Sequence, residues 1–405
     1  MAEGVGRTVA ALGTSQTLAW ASSYYLPAML ATSMARSFGT RPSTIFAAFS
    51  AALVVSAVLG PHAGRAIDRW GGKPVLAASN LVFALGLTTL GFANDLTTFS
   101  VAWIIIGVAM GGGLYEAAFA SVVRLFGTES RGAITGITLL AGFASTVGWP
   151  LSSLLDAHYG WRSACFVWAA LHLSMGLPLN LTLPSASRAI RSAPVDAGDT
   201  GTARPEEGGG SSLIAVALSF VFAVTWFVST AMAAHLPRLL QLTGASLAVA
   251  VTAGALVGPA QVGARLLEYG FLRRLHPLVS ARLACVLHPI GAAILAATGA
   301  AAAPVFGVLH GAGNGILTIA KGTLPLALFG PEGYGHRQGV LMVPARIAQA
   351  FAPLVFGACL DHLGAGALWI SSILSLSAFA VLLSLPRVNR TRSPVSSGVI
   401  EPSSQ

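Results

Sequence analysis

Apolar runs long enough to cross a bilayer alternate with short loops holding Arg, Lys, Gly or Pro along almost the whole chain. A helix needs roughly 20 apolar residues to cross the hydrocarbon. With that ruler the pattern predicts twelve spans, over residues 9–31, 44–63, 74–92, 98–123, 134–155, 163–183, 213–235, 247–266, 278–298, 305–329, 339–360 and 366–385. A polar stretch rich in Gly, Pro, Ser, Asp and Glu lies between the sixth and seventh. It has the composition of a flexible linker with no apolar face to pack. The expected organisation is an all-α polytopic membrane protein: a six-helix bundle over 1–183, a linker over 184–212, a second bundle over 213–386 and a tail over 387–405.

The two halves repeat. Leu125-Phe126-Gly127-Thr128-Glu129 after the fourth span matches Leu328-Phe329-Gly330-Pro331-Glu332 after the tenth, and Gly60-Pro61 in the second matches Gly258-Pro259 in the eighth. Two matches at nearly the same offset point to a duplicated unit and a pseudo-symmetric pair of bundles.

Composition sharpens this picture. Hydrophobic residues make up 54% of the chain and charged residues only 9%, against about 25% charged in a soluble domain. Such a chain presents most of its surface to lipid, which excludes a globular enzyme. The net charge of +9 does not signal nucleic acid, because no basic patch is interleaved with aromatics. With the N-terminus inside, sixteen of the 23 Lys and Arg residues fall on the cytoplasmic side and four outside. The positive-inside rule then puts both termini and the linker in the cytoplasm. Arg7 is the one early cation, and the span after it reads as a retained first helix rather than a cleaved signal peptide. Cys165, Cys285 and Cys359 fall in separate apolar spans, with neither a disulfide framework nor zinc spacing. No nucleotide-binding loop, nucleophile elbow or metal-ligand cluster is present. No cofactor, no metal and no enzymatic activity are expected.

The densest charged loop, Gly64-Arg65-Ala66-Ile67-Asp68-Arg69-Trp70-Gly71-Gly72-Lys73, has the spacing Gly-x-x-x-Asp-Arg-x-Gly-x-Lys carried by Gly64, Asp68, Arg69, Gly71 and Lys73. It resembles the loop between the second and third helices of major facilitator superfamily transporters. The resemblance implies two bundles rocking about a central site near the midplane, with the first, fourth, seventh and tenth spans lining the cavity. It also implies a small-molecule substrate, a bacterial inner-membrane location and a monomer. Trp20-x-x-x-Tyr24-Tyr25 looks like the first helix of bacterial monocarboxylate and oxalate/formate carriers. Arg265 resembles the substrate-holding arginine in the eighth helix of monocarboxylate transporters, but Gln261 stands where their acid would be. That departure moves the expected coupling role elsewhere. The superfamily's fourth-helix arginine, expected near Gly107, is missing, and the fifth-helix Gly-Pro motif survives only as Gly148-Trp149-Pro150.

Intramembrane ionisable groups cost roughly 2.5–3.5 kcal/mol each on insertion scales, so each needs a partner or a water-filled cavity. Glu116, after Gly111-Gly112-Gly113, is the acid well inside a span. It is a proton carrier or gate, or else half of an ion pair holding the bundles together. Lys321 falls two residues from its mate in the repeat, so a Glu116 to Lys321 bridge between halves is expected. Gln261 and Arg265 are four apart and share a helix face. The planar guanidinium of Arg265 suits a carboxylate, unless it snorkels to the headgroups or pairs with Glu268. Tyr24 and Tyr25 offer hydroxyls to an anion or belong to an interfacial belt. Asn314 and His310 lie in the glycine-rich tenth span, and His310 titrates near neutral pH or is simply hydrogen-bonded. Arg346, with Gln349, reads as a gate or interface residue.

The expected function is a secondary transporter of a small, monocarboxylate-like organic anion, with protons as the coupling ion. Arg265, Gln261, Tyr24, Tyr25, Asn314 and Lys321 are its expected contacts, and Glu116, Lys321, His310 and Arg346 its coupling or gating residues. The alternative is efflux of a drug-like or toxic compound, including metalloids such as arsenite.

Overall fold

The computed structural model describes residues 2–184 and 209–386. The expected linker therefore falls mostly, and the expected tail wholly, outside the described residues.

Every regular element among the described residues is helical. The first half holds α1 (Ala2–Ser22), α2 (Leu26–Ser37), α3 (Pro42–Trp70), α4 (Gly72–Phe92), α5 (Leu96–Gly113), α6 (Tyr115–Phe126), α7 (Arg131–Ala141), α8 (Ala144–Leu171) and the short α9 (Leu177–Leu181). The second half holds α10 (Gly209–Leu242), α11 (Leu247–Gly270), α12 (Pro277–Thr298), α13 (Ala303–Phe329), α14 (Tyr334–Leu363) and α15 (Ala367–Ser384). Three predicted spans are each built from two helices in series: α1 with α2, α5 with α6, and α7 with the first part of α8. The chain changes direction inside α8 at Gly160, whose φ of 80° and ψ of 160° suit glycine. The rest of α8 continues through a π-helical turn, His172–Gly176, into α9 as the sixth span. Counted this way, the described residues make twelve passes. Eight stretches are apolar and long enough to cross a membrane on composition, and Leu96–Leu181 and Tyr334–Ser384 each hold more than one pass.

The core divides as the sequence repeat does. One cluster, with Leu12, Trp20, Leu30, Phe83, Trp103 and Trp168, belongs to the first half and takes in Leu326, Tyr334 and Ala350 from the second, with Trp226 packed against it. Separate clusters around Met232, Phe306 and Phe356 and around Phe222, Leu324 and Met342 fill the second half. Large apolar side chains at mid-helix positions, among them Val58, Leu85, Val101, Leu354 and Ile373, remain exposed. In a lipid solvent such a surface carries no penalty.

The halves approach most closely along α3 and α14, which run antiparallel. Glycines permit it: a Cβ on Gly339 would lie 2.6 Å from the carbonyl oxygen of Gly60, and one on Gly64 would overlap the carbonyl of Gly335. Gly71 (φ 87°, ψ 166°) turns the chain from α3 into α4. Asp95 caps α5 by accepting the Thr98 backbone N–H at 2.8 Å. That bond, with the Thr98 hydroxyl, holds its carboxyl below the usual carboxylate range.

Candidate functional site

Backbone groups inside a bilayer have no water to satisfy them, so a break in a spanning helix survives only where protein groups take over the freed carbonyls. Three breaks surround the centre, and two are closed by polar side chains from other spans. At Leu114, between α5 and α6, the backbone is extended (φ −91°, ψ −167°). Gln16 of α1 donates its Nε2–H to the freed carbonyl of Gly113 at 2.7 Å. At Gly142-Phe143, between α7 and α8, the carbonyl of Thr138 accepts from Arg265 Nη1 of α11 at 3.0 Å beside the Gly142 N–H at 2.9 Å, and that of Leu140 accepts from the Thr17 hydroxyl at 3.1 Å beside the Phe143 N–H at 3.1 Å. The third, at Ser23-Tyr24-Tyr25, is tightened by Tyr25 N–H bonding back to the carbonyl of Trp20 at 3.0 Å.

The first break places Glu116 in the opening turn of α6, where exposed N–H groups and the helix dipole favour a carboxylate. Its partner is Arg346 of α14, with Nη2 to Oε2 at 2.8 Å and side-chain exposures of 3% and 16%. This corrects the expected Glu116 to Lys321 bridge. The two-residue offset in the repeat put Lys321 at the right depth, but α14 lies closer to α6. Arg346 also donates from Nη1 to Gln349 Oε1 at 3.2 Å.

Lys321, 4% exposed, instead holds its ammonium 3.9 Å above the ring of Trp226 on α10. Trp226 stacks across the interface on Trp20 of α1, centroids 6.2 Å apart and planes 5° from parallel. Arg346 sits 5.8 Å from the Trp20 ring and 5.7 Å from the Trp226 ring. Tyr115 packs on Trp20 at 4.8 Å and Tyr24 at 5.2 Å, and the Tyr24 hydroxyl lies 3.4 Å from that of Thr230 on α10. Tyr25 meets Trp149 edge-on. The tyrosines are therefore part of a packed aromatic cluster between the halves and not an interfacial belt. Three buried N–H groups here find no acceptor: Trp20 Nε1, Trp226 Nε1 and Gln349 Nε2.

Arg265 is buried at 5% exposure. It crosses to the Thr138 carbonyl and reaches Gln261 Oε1 at 3.5 Å, while its Nε is without a partner. It neither snorkels nor pairs with Glu268. Glu268 binds Arg131 of the first half at 2.8 Å and accepts from the Ser280 hydroxyl at 3.1 Å. Arg131 also donates to the carbonyls of Leu275 and Leu272.

His310 and Asn314 lie within the second half, on a cavity of about 20 Å³ shared with His288, Thr225, Ser229 and Ser375. Ser371 donates its one hydroxyl proton to the carbonyl of Leu368 at 2.8 Å, so it accepts from His288 Nε2–H at 3.0 Å. The bare Nδ1 of neutral His288 then accepts from His310 Nδ1–H at 3.0 Å. The first half has its own buried network, in which His172 lies 2.7 Å from the Ser22 hydroxyl and 2.8 Å from Asn80 Oδ1.

The expected charged loop is helical apart from Gly71: residues 64–70 are the last turns of α3 and Gly72 and Lys73 open α4. Within it, Asp68 joins the halves. Its carboxylate accepts the backbone N–H groups of Gly335 and His336, at 2.9 and 2.8 Å, in the first turn of α14. Arg69 lies over the ring of Trp70. Among the described residues, side-chain hydrogen bonds between the halves run from the centre to this Asp68 end. None joins the halves at the opposite end, near Asp361.

Residues 12–307 match the Major Facilitator Superfamily. The chain belongs to that superfamily. The fold agrees. A structure of the superfamily's proton:xylose symporter XylE, bound to 6-bromo-6-deoxy-D-glucose, superposes with a TM-score of 0.75 at 14% identity, over 94% of this chain and 96% of that one. The human organic anion transporter MFSD10 gives 0.66 at 17% identity, over 93% and 99%. FucP, in the outward conformation, gives 0.66 at 15%, over 93% and 97%. Among relatives by sequence, the uncharacterised transporter YhcA of Bacillus subtilis is 32% identical over 127 residues, 31% of this chain and 24% of its own length. The probable sulfoacetate transporter SauU of Cupriavidus necator is 28% identical over 138 residues, 33% and 30%. The multidrug resistance protein fnx1 of Schizosaccharomyces pombe is 29% identical over 116 residues, 28% and 22%. The matched stretch spans about a quarter of the length of the first two relatives by sequence, fnx1 and YhcA. As a superfamily member, the chain is a multi-pass membrane protein of a transporter family and not an enzyme.

Trp226 and His288 escaped the sequence reading, as did the His172 network. Trp226 carried a usable signal. A tryptophan in the middle of a span lies away from the interfacial belt and must find an acceptor for its N–H.

Proposed function

We propose that this transporter moves a small organic anion of the monocarboxylate kind by alternating access, with protons as coupling ion. One observation carries the reading: among the described residues the buried centre holds three basic side chains, Arg346, Lys321 and Arg265, against the carboxylate of Glu116, while the nearby buried Glu268 is taken by Arg131. Glu116 compensates Arg346, which leaves the site with excess positive charge and the three unmatched N–H donors. An anion supplies both the charge and the acceptors that such a site lacks. The sequence relative SauU, a probable sulfoacetate transporter, points the same way.

In this reading residues 1–183 and 213–386 are the moving bodies, and the positive-inside rule puts the Asp68 end in the cytoplasm of a bacterial cell, as in an inner membrane. The Asp68 and Arg131 contacts then close the cytoplasmic side, an outward-facing state. Glu116 and Arg346, from different halves, part when the substrate anion binds Arg346 and a proton binds Glu116. The efflux alternative draws only on likeness to relatives such as the multidrug resistance protein fnx1.

The test is to reconstitute the protein in liposomes loaded with a pH dye and to add small carboxylates one at a time. Internal acidification by at least one carboxylate, lost in Arg346→Met, is the expected result. No response and no counterflow of labelled carboxylate would overturn the reading.

A further inference from the structure

The indoles at the centre restrict the anion further, an inference that rests on the anion reading above. Trp20 and Trp226 come one from each half and lie nearly parallel, 6.2 Å between centroids. The cations Arg346 and Lys321 both hold positions over the indole rings. A bare aliphatic pocket beside an arginine would serve a short carboxylate, but here apolar surface and charge are presented together by flat rings. Trp20, 3% exposed, has its N–H buried without an acceptor, as do Trp226 and Gln349, the latter 0% exposed. Burial of three donors without partners is unfavourable wherever it occurs, and carboxylate oxygens, each able to accept more than one hydrogen bond, would relieve it.

We propose that the transported anion is an aromatic carboxylate, whose ring takes over the indole face that Trp20 and Trp226 offer each other in this state while its carboxylate binds at Arg346 and Lys321. The two indoles sit on the two bodies, so a ring held against either one breaks their mutual stack and loosens the halves at the centre. Ring and charge then act together: the ring displaces a contact between the halves, and the carboxylate competes with Glu116 for Arg346. A saturated ring of the same bulk lacks the flat π face for offset stacking, worth about 0.5–1.5 kcal/mol per aromatic pair, or about two- to twelvefold in affinity.

Calorimetric titration of the purified full-length chain in detergent with benzoate, cyclohexanecarboxylate and benzamide tests this. Benzoate is expected to bind about two- to twelvefold more tightly than cyclohexanecarboxylate, and benzamide not to bind measurably. Trp226→Leu should bring the ratio to about one and Trp226→Phe should retain most of it. Equal affinities for benzoate and cyclohexanecarboxylate would overturn the aromatic inference and leave the anion reading standing. Binding of benzamide as tight as that of benzoate, or binding of neither carboxylate, would overturn the anion reading itself. The wild-type ratio decides the inference even if a variant fails to fold.

Discussion

Arg346 and Glu116 stand in different halves of the molecule and meet with 2.8 Å between Nη2 and Oε2, close to the stacked indoles of Trp20 and Trp226. A buried pair of this kind is strongly destabilised when one partner is removed, by roughly 3–5 kcal/mol, because the other charge is left uncompensated. Arg346→Met and Glu116→Gln should therefore each lower thermal stability in detergent. The double variant should recover much of the loss, since it leaves no lone charge. Transport tells the roles apart: if Glu116 carries the coupling proton, Glu116→Gln abolishes concentrative uptake but keeps exchange of labelled substrate. Loss of exchange as well would show that the pair only holds the halves together.

The latch at the Asp68 end makes a second prediction. Two backbone N–H groups of α14 point at one carboxylate, and charge-assisted bonds at a helix N-terminus are the stronger kind. Asp68→Ala removes both, at about 1.5–3 kcal/mol each by the usual range for bonds to charged groups, and should move the population away from the state seen here. Gly64→Ala should act in the same direction by sterics, since its Cβ would overlap the Gly335 carbonyl. Spin labels on the ends of α3 and α14 would report the change. A longer distance in both variants is expected, and an unchanged distance in Asp68→Ala would show that glycine packing alone holds this end.

A third prediction concerns Gly142, at the break between α7 and α8. A methyl group there would collide with Arg265 Nη1. The obstacle is the far end of a flexible side chain, so the fold should survive while the bond from Arg265 to the Thr138 carbonyl is lost. Gly142→Ala is expected to express and fold, to unfold at a somewhat lower temperature for the lost bond, and to lose carboxylate transport about as much as Arg265→Gln. Full transport in Gly142→Ala would show that the position of Arg265 on that carbonyl does not matter for function.

The twelve spans and the duplicated halves were legible because lipid imposes a length and a hydropathy on every crossing, and both can be counted in a single sequence. Glu116, Arg346, Lys321 and Arg265 were legible as expensive charges inside spans. Their partners were not, because a spacing along one helix says nothing of which helix lies opposite. Arg265 thus went to a carbonyl at a helix break, and Glu116 to Arg346 rather than to Lys321. The breaks at Leu114 and Gly142-Phe143 were hidden as well, since glycine-rich segments read equally as close-packing surfaces.

The last prediction isolates a network in the first half that touches neither Glu116 nor Arg346. Asn80 Nδ2 donates to the carbonyl of Leu76 at 2.8 Å, so its Oδ1 accepts from His172 Nδ1–H, and His172 Nε2 takes the Ser22 hydroxyl proton. His172 also stacks on Phe83, with 4.7 Å between centroids. His172→Phe keeps a ring for that stack but removes both nitrogens. Ser22 then falls back on the carbonyl of Leu18, 2.9 Å away, whereas Asn80 Oδ1 is left buried without a donor, at about 1–3 kcal/mol. The variant should unfold at a lower temperature in detergent with its transport rate at room temperature unchanged. Adding Asn80→Leu should restore part of the loss, because the orphaned oxygen goes with it. A transport defect in a stable His172→Phe protein would instead place this histidine in the conformational cycle.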